Sequence, residues 1–500
     1  MIKRAGGALL LSIEIDRSAP GTVSHQLYSA MRDIIHAGGM HIGERLPASR
    51  TLAIDLKISR TTVINVFEIL TSEGLIESRT GAGTFVSKAW MTTRPAETEV
   101  IKKQGSERPM RQPRLSGVIT RALENFVDRL PHKTKAFTTA LPAFDAFPSA
   151  LWAQYVTRTW RSNHQSNMGY ADPRGHFPLR QAIASHLLSN RGIKCEAEQI
   201  FIVSGAQQAF QIIGTVLLDP NDLVWCENPG AIGACNSLIA SGAKLIPIPV
   251  DQNGLMVEHG LRRAPDFRLA FVTPAHQQPL GVSMSIERRF ALLNAAENAN
   301  AFIIEDDYDS EFRYSGQPPP TLKSIDTLDR VIYVGTFSKT LFPALRLGFF
   351  LAPPPLVDVF NRVSKALLQG VASSHQAVVA AFMQEGHFAT HIRRMREIYA
   401  ERHQVLCDAA QERLGGLIDI VPTDTGLHTI ARIPHTLDEV KIATAALEKN
   451  VVVTPIKRYC IAPTDQKGLV LGFSGIPPSE IVNGVKTLEQ VLDTIVKQKT

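Results

Sequence analysis

The sequence predicts an α/β protein of two unequal parts: a small helical unit closed by a hairpin, then a large domain with a mostly parallel sheet covered by helices. Three observations predict this. Apolar runs such as "QIFIVSG", "DLVWCENPG", "RLAFVTP", "AFIIEDDY" and "RVIYVGTFSK" alternate with helical patterns from about residue 136 onward, as in parallel sheets covered on both faces. Helix-spaced apolar positions fill residues 22–71, and a glycine-punctuated pair of short strands follows them. The chain has 500 residues, too many for one ordinary core.

The first part occupies residues 12–88. Leu27, Met31, Ile34 and Ile35 repeat at helical spacing until Gly38-Gly39. Two short helices fit at 49–56 and 60–71. The second carries Val63, Val66, Phe67 and Leu70 on one face, read as the core face, with Ser59 placed as its N-cap. "GLIESRTGAGTFVS" reads as two strands joined by a glycine turn. Helix, helix, turn, helix and hairpin make a winged helix-turn-helix. The polar start of the last helix, Arg60-Thr61-Thr62, suits base edges and phosphates in a major groove. Arg50 suits the DNA backbone, and Arg79 beside Gly81 and Gly83 suits a wing along the minor groove. A unit of this kind can also dock proteins; an arginine among glycines in the hairpin favours DNA.

Residues 89–130 form a linker with Pro95, Pro109 and Pro113, with a helix expected near 117–129. Residues 91–135 hold ten Lys/Arg against five Asp/Glu, within a chain of net charge +6. Such a surplus suits either a solvated tether or a segment beside a polyanion. The five cysteines are scattered without a CxxC pair, which points to a reducing, cytoplasmic setting and away from a metal cluster. The apolar run after Met1 is short and meets Glu14 and Asp16 at once, so it is not read as a signal peptide. No stretch reaches the ~20 apolar residues of a membrane span.

Residues 131–500 form the large domain, with a smaller lobe from about 385 to 500. Lys339 follows an apolar strand, and burying a lysine is costly unless it is paired or covalently used. Asp306 and Tyr308 end the preceding strand. Ser204, Gly205, Ala206 and Gln207 form a strand-to-helix turn whose N–H groups favour an anion, and Arg346 adds a fixed cation. An amine, a carboxylate, a phenol and an anion cradle at strand C-terminal ends are the parts a pyridoxal 5′-phosphate site requires. Asp307 is the rival of Asp306; alternation along a strand puts Asp306 on the side of Tyr308.

The segment "RLPASRTLAIDLKISRTTVINVFEILTSEGLIESRTGAGTFV" resembles the GntR-type winged helix-turn-helix of bacterial regulators. The resemblance implies that Arg50, Arg60, Thr61, Thr62, Arg79 and Gly83 contact DNA. Residues 136–500, through "GYADPRGHFPLRQAIASHLLSNRGI", "VSGAQQAF", "ENPG", "EDDY" and "TFSK", resemble the fold-type I aminotransferases. That resemblance implies Lys339 as the Schiff-base lysine, Asp306 at the pyridine nitrogen and Tyr308 at the ring oxygen. Gly205, Ala206, Gln207, Thr336, Ser338 and Arg346 then serve the phosphate. The fused layout resembles the MocR family, which includes GabR-type regulators. Its members are transcription factors that bind pyridoxal phosphate, sense a small amine, an amino acid or the cofactor itself, and commonly form head-to-tail homodimers.

Some positions depart from the pattern. Ala231 and Gly233 stand where relatives carry an aromatic residue and, in some amino-acid sensors, an arginine. Arg432 and Arg458 are the nearest candidates for a carboxylate clamp in the terminal lobe. Gln278 can offer a hydrogen bond to the ring oxygen, and His276 is read as a loop histidine satisfied by backbone. The leading reading is a regulator that binds operator DNA and a small effector. Its rivals are a working aminotransferase with a DNA-binding appendage and a cofactor-free scaffold.

Overall fold

The computed structural model describes residues 10, 13–19, 21–88, 113–128, 133–162 and 168–497. The N-terminal apolar run and most of the expected linker lie outside the described residues. The chain divides into two units, Met1–Pro113 and Arg114–Thr500.

In the first unit, α1 (Val23–His36) starts where the Thr22 side chain accepts the His25 N–H, and it buries Leu27, Met31 and Ile35 at intervals of four. After α2 (Ser49–Asp55) a tight turn leads to α3 (Arg60–Ser72). Ser59 caps α3 by accepting the Thr62 N–H at 3.0 Å. Val63, Val66 and Leu70 are fully buried. Phe67, expected to face the core, is only half-buried and packs at its edge. Strands β1 (Ile76–Arg79) and β2 (Gly83–Val86) pair antiparallel, Ile76 opposite Val86 and Arg79 opposite Gly83. The core of this unit is built from its own residues, from Leu10 to Val86.

The second unit begins inside the segment assigned to the linker. Helix α4 (Gly117–Asn125) buries Ala122, and Val127 exchanges two hydrogen bonds with the side chain of Asn236. The tether is therefore shorter than residues 89–130, because its end docks on the large unit. Helix α5 (Ser149–Ser162) follows.

Eight strands form the central sheet in the order β3-β10-β9-β8-β7-β4-β5-β6. They are β3 (Ile200–Val203), β4 (Leu223–Asn228), β5 (Lys244–Asp251), β6 (Gly254–Leu255), β7 (Leu269–Val272), β8 (Phe302–Asp307), β9 (Val331–Thr336) and β10 (Gly348–Leu351). β5, β4, β7, β8 and β9 run parallel; β10 and β6 are antiparallel to their neighbours. Alternate residues serve opposite faces. Val224, Cys226, Phe271, Ile304 and Val334 pack under α6 (Ala206–Leu217) and α7 (Ile232–Ala240). Trp225, Ala270, Val272 and Ile303 pack under the helices at Val257–Arg263 and Ile286–Asn298.

The terminal lobe holds an antiparallel sheet of order β11-β12-β14-β13, with β11 (Asp419–Ile420), β12 (His428–Arg432), β13 (Thr454–Pro455) and β14 (Gly468–Gly472). A 28-residue helix, His387–Leu414, leads into it. Residues 136 and 137 bridge to Val451 and Gly472, so a segment far earlier in the chain completes this lobe. At Gly472 a Cβ would lie 2.2 Å from the Thr138 carbonyl oxygen; only glycine permits that approach.

Candidate cofactor site and nucleic-acid interface

The large unit's site follows from strand alternation. In β8, Ile304 and Asp306 share the face under α6, and Glu305 and Asp307 the other. Asp307 is consumed there: it accepts from Arg191 Nε at 3.0 Å and from the Tyr333 hydroxyl at 2.6 Å. Asp306 is buried, and its Oδ1 has no hydrogen-bond partner among the described residues. Burial first, then Asp307 and Asp309, push its carboxyl well above the usual range, with Lys339 acting the other way.

β9 ends at Thr336, whose side chain accepts the Ser338 N–H at 3.2 Å and starts one helical turn, Phe337–Thr340. That turn presents Lys339. Its Nζ lies 2.8 Å from the carbonyl of Ala140, a non-glycine residue held at φ 64. The chain then turns through Arg346 at φ 52 and returns as β10. Gly348 passes so close that a Cβ there would lie 3.1 Å from Gly205 Cα and 3.2 Å from the Ala206 nitrogen. Gly205, at φ 108, precedes α6, which starts without a side-chain cap. The Arg346 guanidinium lies 3.8–3.9 Å from where a Gly205 Cβ would stand. First-turn N–H groups that have no partner within their helix, a helix dipole and a guanidinium thus converge.

Gly205, Ala206, Gln207, Gln278, Asp306, Tyr308, Thr336, Ser338, Lys339 and Arg346 all border one cavity of about 830 Å³. The sequence did not point to Ala140, Tyr459 or an aromatic wall of Phe147, Trp152 and Phe342, which also border it. Phe147 and Trp152 each meet Phe342 edge-on, at 5.1 and 5.4 Å between ring centres.

The departures acquire a shape. Ala231 is buried, and Ile232 borders the cavity instead. At Gly233 a Cβ would lie 3.0 Å from Gln207 Nε2, so an arginine there would have to displace Gln207. Arg432 is exposed at the end of β12, and Arg458 donates to the Asp128 carbonyl at 2.7 Å. Neither borders the cavity. His276 is not satisfied by backbone: its Nδ1 meets the Asp309 carboxylate at 2.9 Å.

Glu227, one residue before the end of β4, holds the loop that carries His276 and Gln278. Its Oε2 accepts from the Thr273 hydroxyl at 2.6 Å and from Gln277 Nε2 at 3.2 Å. Burial pushes its carboxyl up to about 7. The folded chain therefore keeps a proton here that the unfolded chain releases near pH 4.5. This stabilisation is complete below that pH and is lost as pH rises through about 7. Glu227→Gln should flatten the fall in denaturant midpoint between pH 5 and pH 8, an effect on the order of 3 kcal/mol. An unchanged slope would show that Glu227 is not the titrating group.

In the first unit, Arg60 and Thr61 are exposed at the start of α3, and Arg50 is exposed on α2. Thr62 is drawn inward, its hydroxyl 2.8 Å from Ser59 Oγ, so it serves the cap. Arg79 is not a bare cation: it pairs with Glu77 Oε1 at 2.6 Å and lies over the Phe85 ring at 4.6 Å. Gly83, at φ 109, leaves room for the guanidinium of Arg45, whose Nε lies 2.8 Å from the position a Cβ would take. Arg45 thus joins Arg79 at the wing.

Residues 23–86 match the family described as "Bacterial regulatory proteins, gntR family", and residues 142–469 match "Aminotransferase class I and II". The "Probable rhizopine catabolism regulatory protein MocR" of Rhizobium meliloti is 40% identical over 95% of this chain and 94% of its own length. This chain belongs to the MocR family. Members are transcriptional regulators that join a gntR-type DNA-binding unit to an aminotransferase-like one. The family also includes the "HTH-type pyridoxine biosynthesis transcriptional regulator PdxR" of Corynebacterium glutamicum, 29% identical over 93% of this chain and 94% of its own. A solved kynurenine aminotransferase of Pyrococcus horikoshii, in complex with PMP, superimposes with a TM-score of 0.67 at 25% identity, covering 79% of this chain and 98% of that one. Among the described residues no helix is long and apolar enough to cross a membrane.

Proposed function

We propose that this MocR-family regulator binds pyridoxal 5′-phosphate in its large unit and couples the state of that site to operator binding. The observation that carries the reading is Asp306. A buried carboxylate oxygen without a donor, on the same cavity as a lysine amine, fits a protonated pyridine nitrogen. When bound, the cofactor supplies an aldehyde that condenses with primary amines and a ring that draws electrons from them.

Each residue then has a task. Lys339 provides the amine that holds the aldehyde carbon. Asp306 keeps the ring nitrogen protonated, and Tyr308 and Gln278 offer hydrogen bonds to the ring oxygen. The N–H groups of Gly205, Ala206 and Gln207, with Thr336, Ser338 and Arg346, hold the phosphate. An amine effector would compete with Lys339 for the cofactor, and would control the protein only by binding two of its arrangements with different affinity. Among the described residues, Arg346 is the one arginine on the cavity, and it stands at the phosphate end. No guanidinium is left there for a substrate carboxylate, so a GABA-like ligand is disfavoured. A bulkier amine, or the cofactor itself, suits the site, and the same feature argues against efficient amino-acid transamination.

The active species is a head-to-tail homodimer whose two readers meet a pair of operator half-sites. Arg60 and Thr61 read bases, Arg50 and Arg79 reach phosphates, and Thr62 and Gly83 support these contacts through the cap and the wing. Arg60→Ala should weaken operator binding by roughly 1–3 kcal/mol and relax preference at one base position. Unchanged affinity and selectivity in a binding titration would exclude this docking of α3. The cofactor reading itself is tested by absorbance. The purified chain mixed with pyridoxal phosphate should show a visible band that borohydride abolishes, and a spectrum equal to that of free cofactor would remove the reading.

A further inference from the structure

Tyr308 borders the cavity, but its hydroxyl also lies 3.2 Å from His276 Nδ1. The same nitrogen lies 2.9 and 3.1 Å from the two oxygens of Asp309. His276 and Asp309 are each 1% exposed, so water does not mediate this geometry. A nitrogen beside two carboxylate oxygens must carry a hydrogen, because a lone pair there would face lone pairs in a poorly screened interior. Nδ1 is a donor whether the ring holds one proton or two. Tyr308 can therefore only accept from it, and its own hydrogen must point elsewhere.

The ring has no room to turn away. A Cβ at Gly426, whose φ is 91, would stand 2.1 Å from His276 Cε1. A Cβ at Gly281, whose φ is 73, would stand 3.1 Å from Nε2. The bare glycines close the space on two sides, and the His428 ring lies 4.9 Å away, centre to centre.

We infer that His276 and Asp309 are positioning residues that aim the Tyr308 O–H into the cavity, at the ring oxygen of the cofactor. Asp309 sets the hydrogen on Nδ1, and Nδ1 occupies the acceptor side of Tyr308. The inference rests on the reading that Tyr308 faces the cofactor. A hydrogen donated to an anionic ring oxygen favours the anion. Without it, the proton that this oxygen shares with the lysine-linked nitrogen is held to higher pH. Asp306, Glu227, Tyr459 and Lys339 also face this corner, and burial holds His428 neutral by lowering it to about 3. All of these stay constant across the variants below.

The test uses the full cofactor-loaded chain and reads the pH midpoint of its visible band. Tyr308→Phe and His276→Leu should each raise the midpoint by about one pH unit, the size expected for one lost hydrogen bond. His276→Asn, whose amide nitrogen can stand where Nδ1 stands, should keep the midpoint within a few tenths of a unit of the parent, roughly. In the Tyr308→Phe background, His276→Leu should add nothing, since both act through one hydroxyl. A shift by His276→Leu of the same size with and without the tyrosine hydroxyl overturns the proposal. So does no shift beside a clear one from Tyr308→Phe. If Tyr308→Phe itself leaves the midpoint in place, the placement of Tyr308 falls and the proposal falls with it. Where His276→Leu loads no cofactor, His276→Asn decides: a midpoint raised as far as in Tyr308→Phe contradicts the inference, and a parental midpoint supports it.

Discussion

Lys339→Ala should abolish the visible, borohydride-reducible band of the cofactor-loaded protein. The expected loss is complete, because Lys339 is the one lysine that borders the cavity among the described residues. The phosphate cradle at the start of α6 is untouched by the change, so the cofactor can still bind weakly and reversibly. The two effects separate in one experiment. Equilibrium dialysis should show residual binding, and borohydride followed by mass measurement should show no added mass. A borohydride-reducible band in this variant, with added mass after reduction, would place the covalent link on another amine.

Residues 1–88 alone should bind the operator roughly 10²–10⁴-fold more weakly than the full chain. The isolated piece should fold, because its core from Leu10 to Val86 draws on no residue of the large unit. Each half-site contact is then intact, and what disappears is the second reader held nearby. In the proposed homodimer the large unit would supply that proximity. The paired half-sites should lie one helical turn, or a multiple of it, apart. Equal affinity of fragment and full chain, compared at one salt concentration, would exclude a bivalent reader.

Much of the site was legible in the sequence because its chemistry sits on short local spacings. Asp306 and Tyr308 are two residues apart on one strand end, and Lys339 and Arg346 flank one turn. Alternation was enough to prefer Asp306 over Asp307, and the structure shows where Asp307 goes, into a buried cluster with Arg191 and Tyr333. What stayed hidden depends on residues far apart in the chain. Ala140 meets Lys339 across 199 positions, and Phe147 and Trp152 meet Phe342 from another segment. His276 reads as an ordinary loop histidine until the fold sets Asp309, 33 positions later, against its ring. The docking of α4 was likewise invisible. Its exposed face carries Ile119 and Leu123, so the pattern alone does not say which side packs.

At the wing, charge pattern alone misled in a useful way. Arg79 looked available, yet Glu77 holds it at 2.6 Å. An exposed pair of this kind is weak, so a DNA phosphate can compete for the guanidinium. Arg45 escaped notice because its reach to Gly83 is a tertiary contact. Thr62 shows the opposite case: a residue whose type suits a phosphate has its hydroxyl engaged by Ser59, the cap of its own helix.

The central claim is that the state of the cofactor site sets operator affinity. The most direct measurement is the operator dissociation constant at fixed salt for three forms of the full chain: free of cofactor, loaded with pyridoxal phosphate, and loaded with a panel of amines added. The expected result is a change of roughly 5–150-fold on loading or on addition of a bulky amine, a weak response to GABA, and no response to either in Lys339→Ala. One dissociation constant shared by all forms, with the cofactor demonstrably bound, would contradict it.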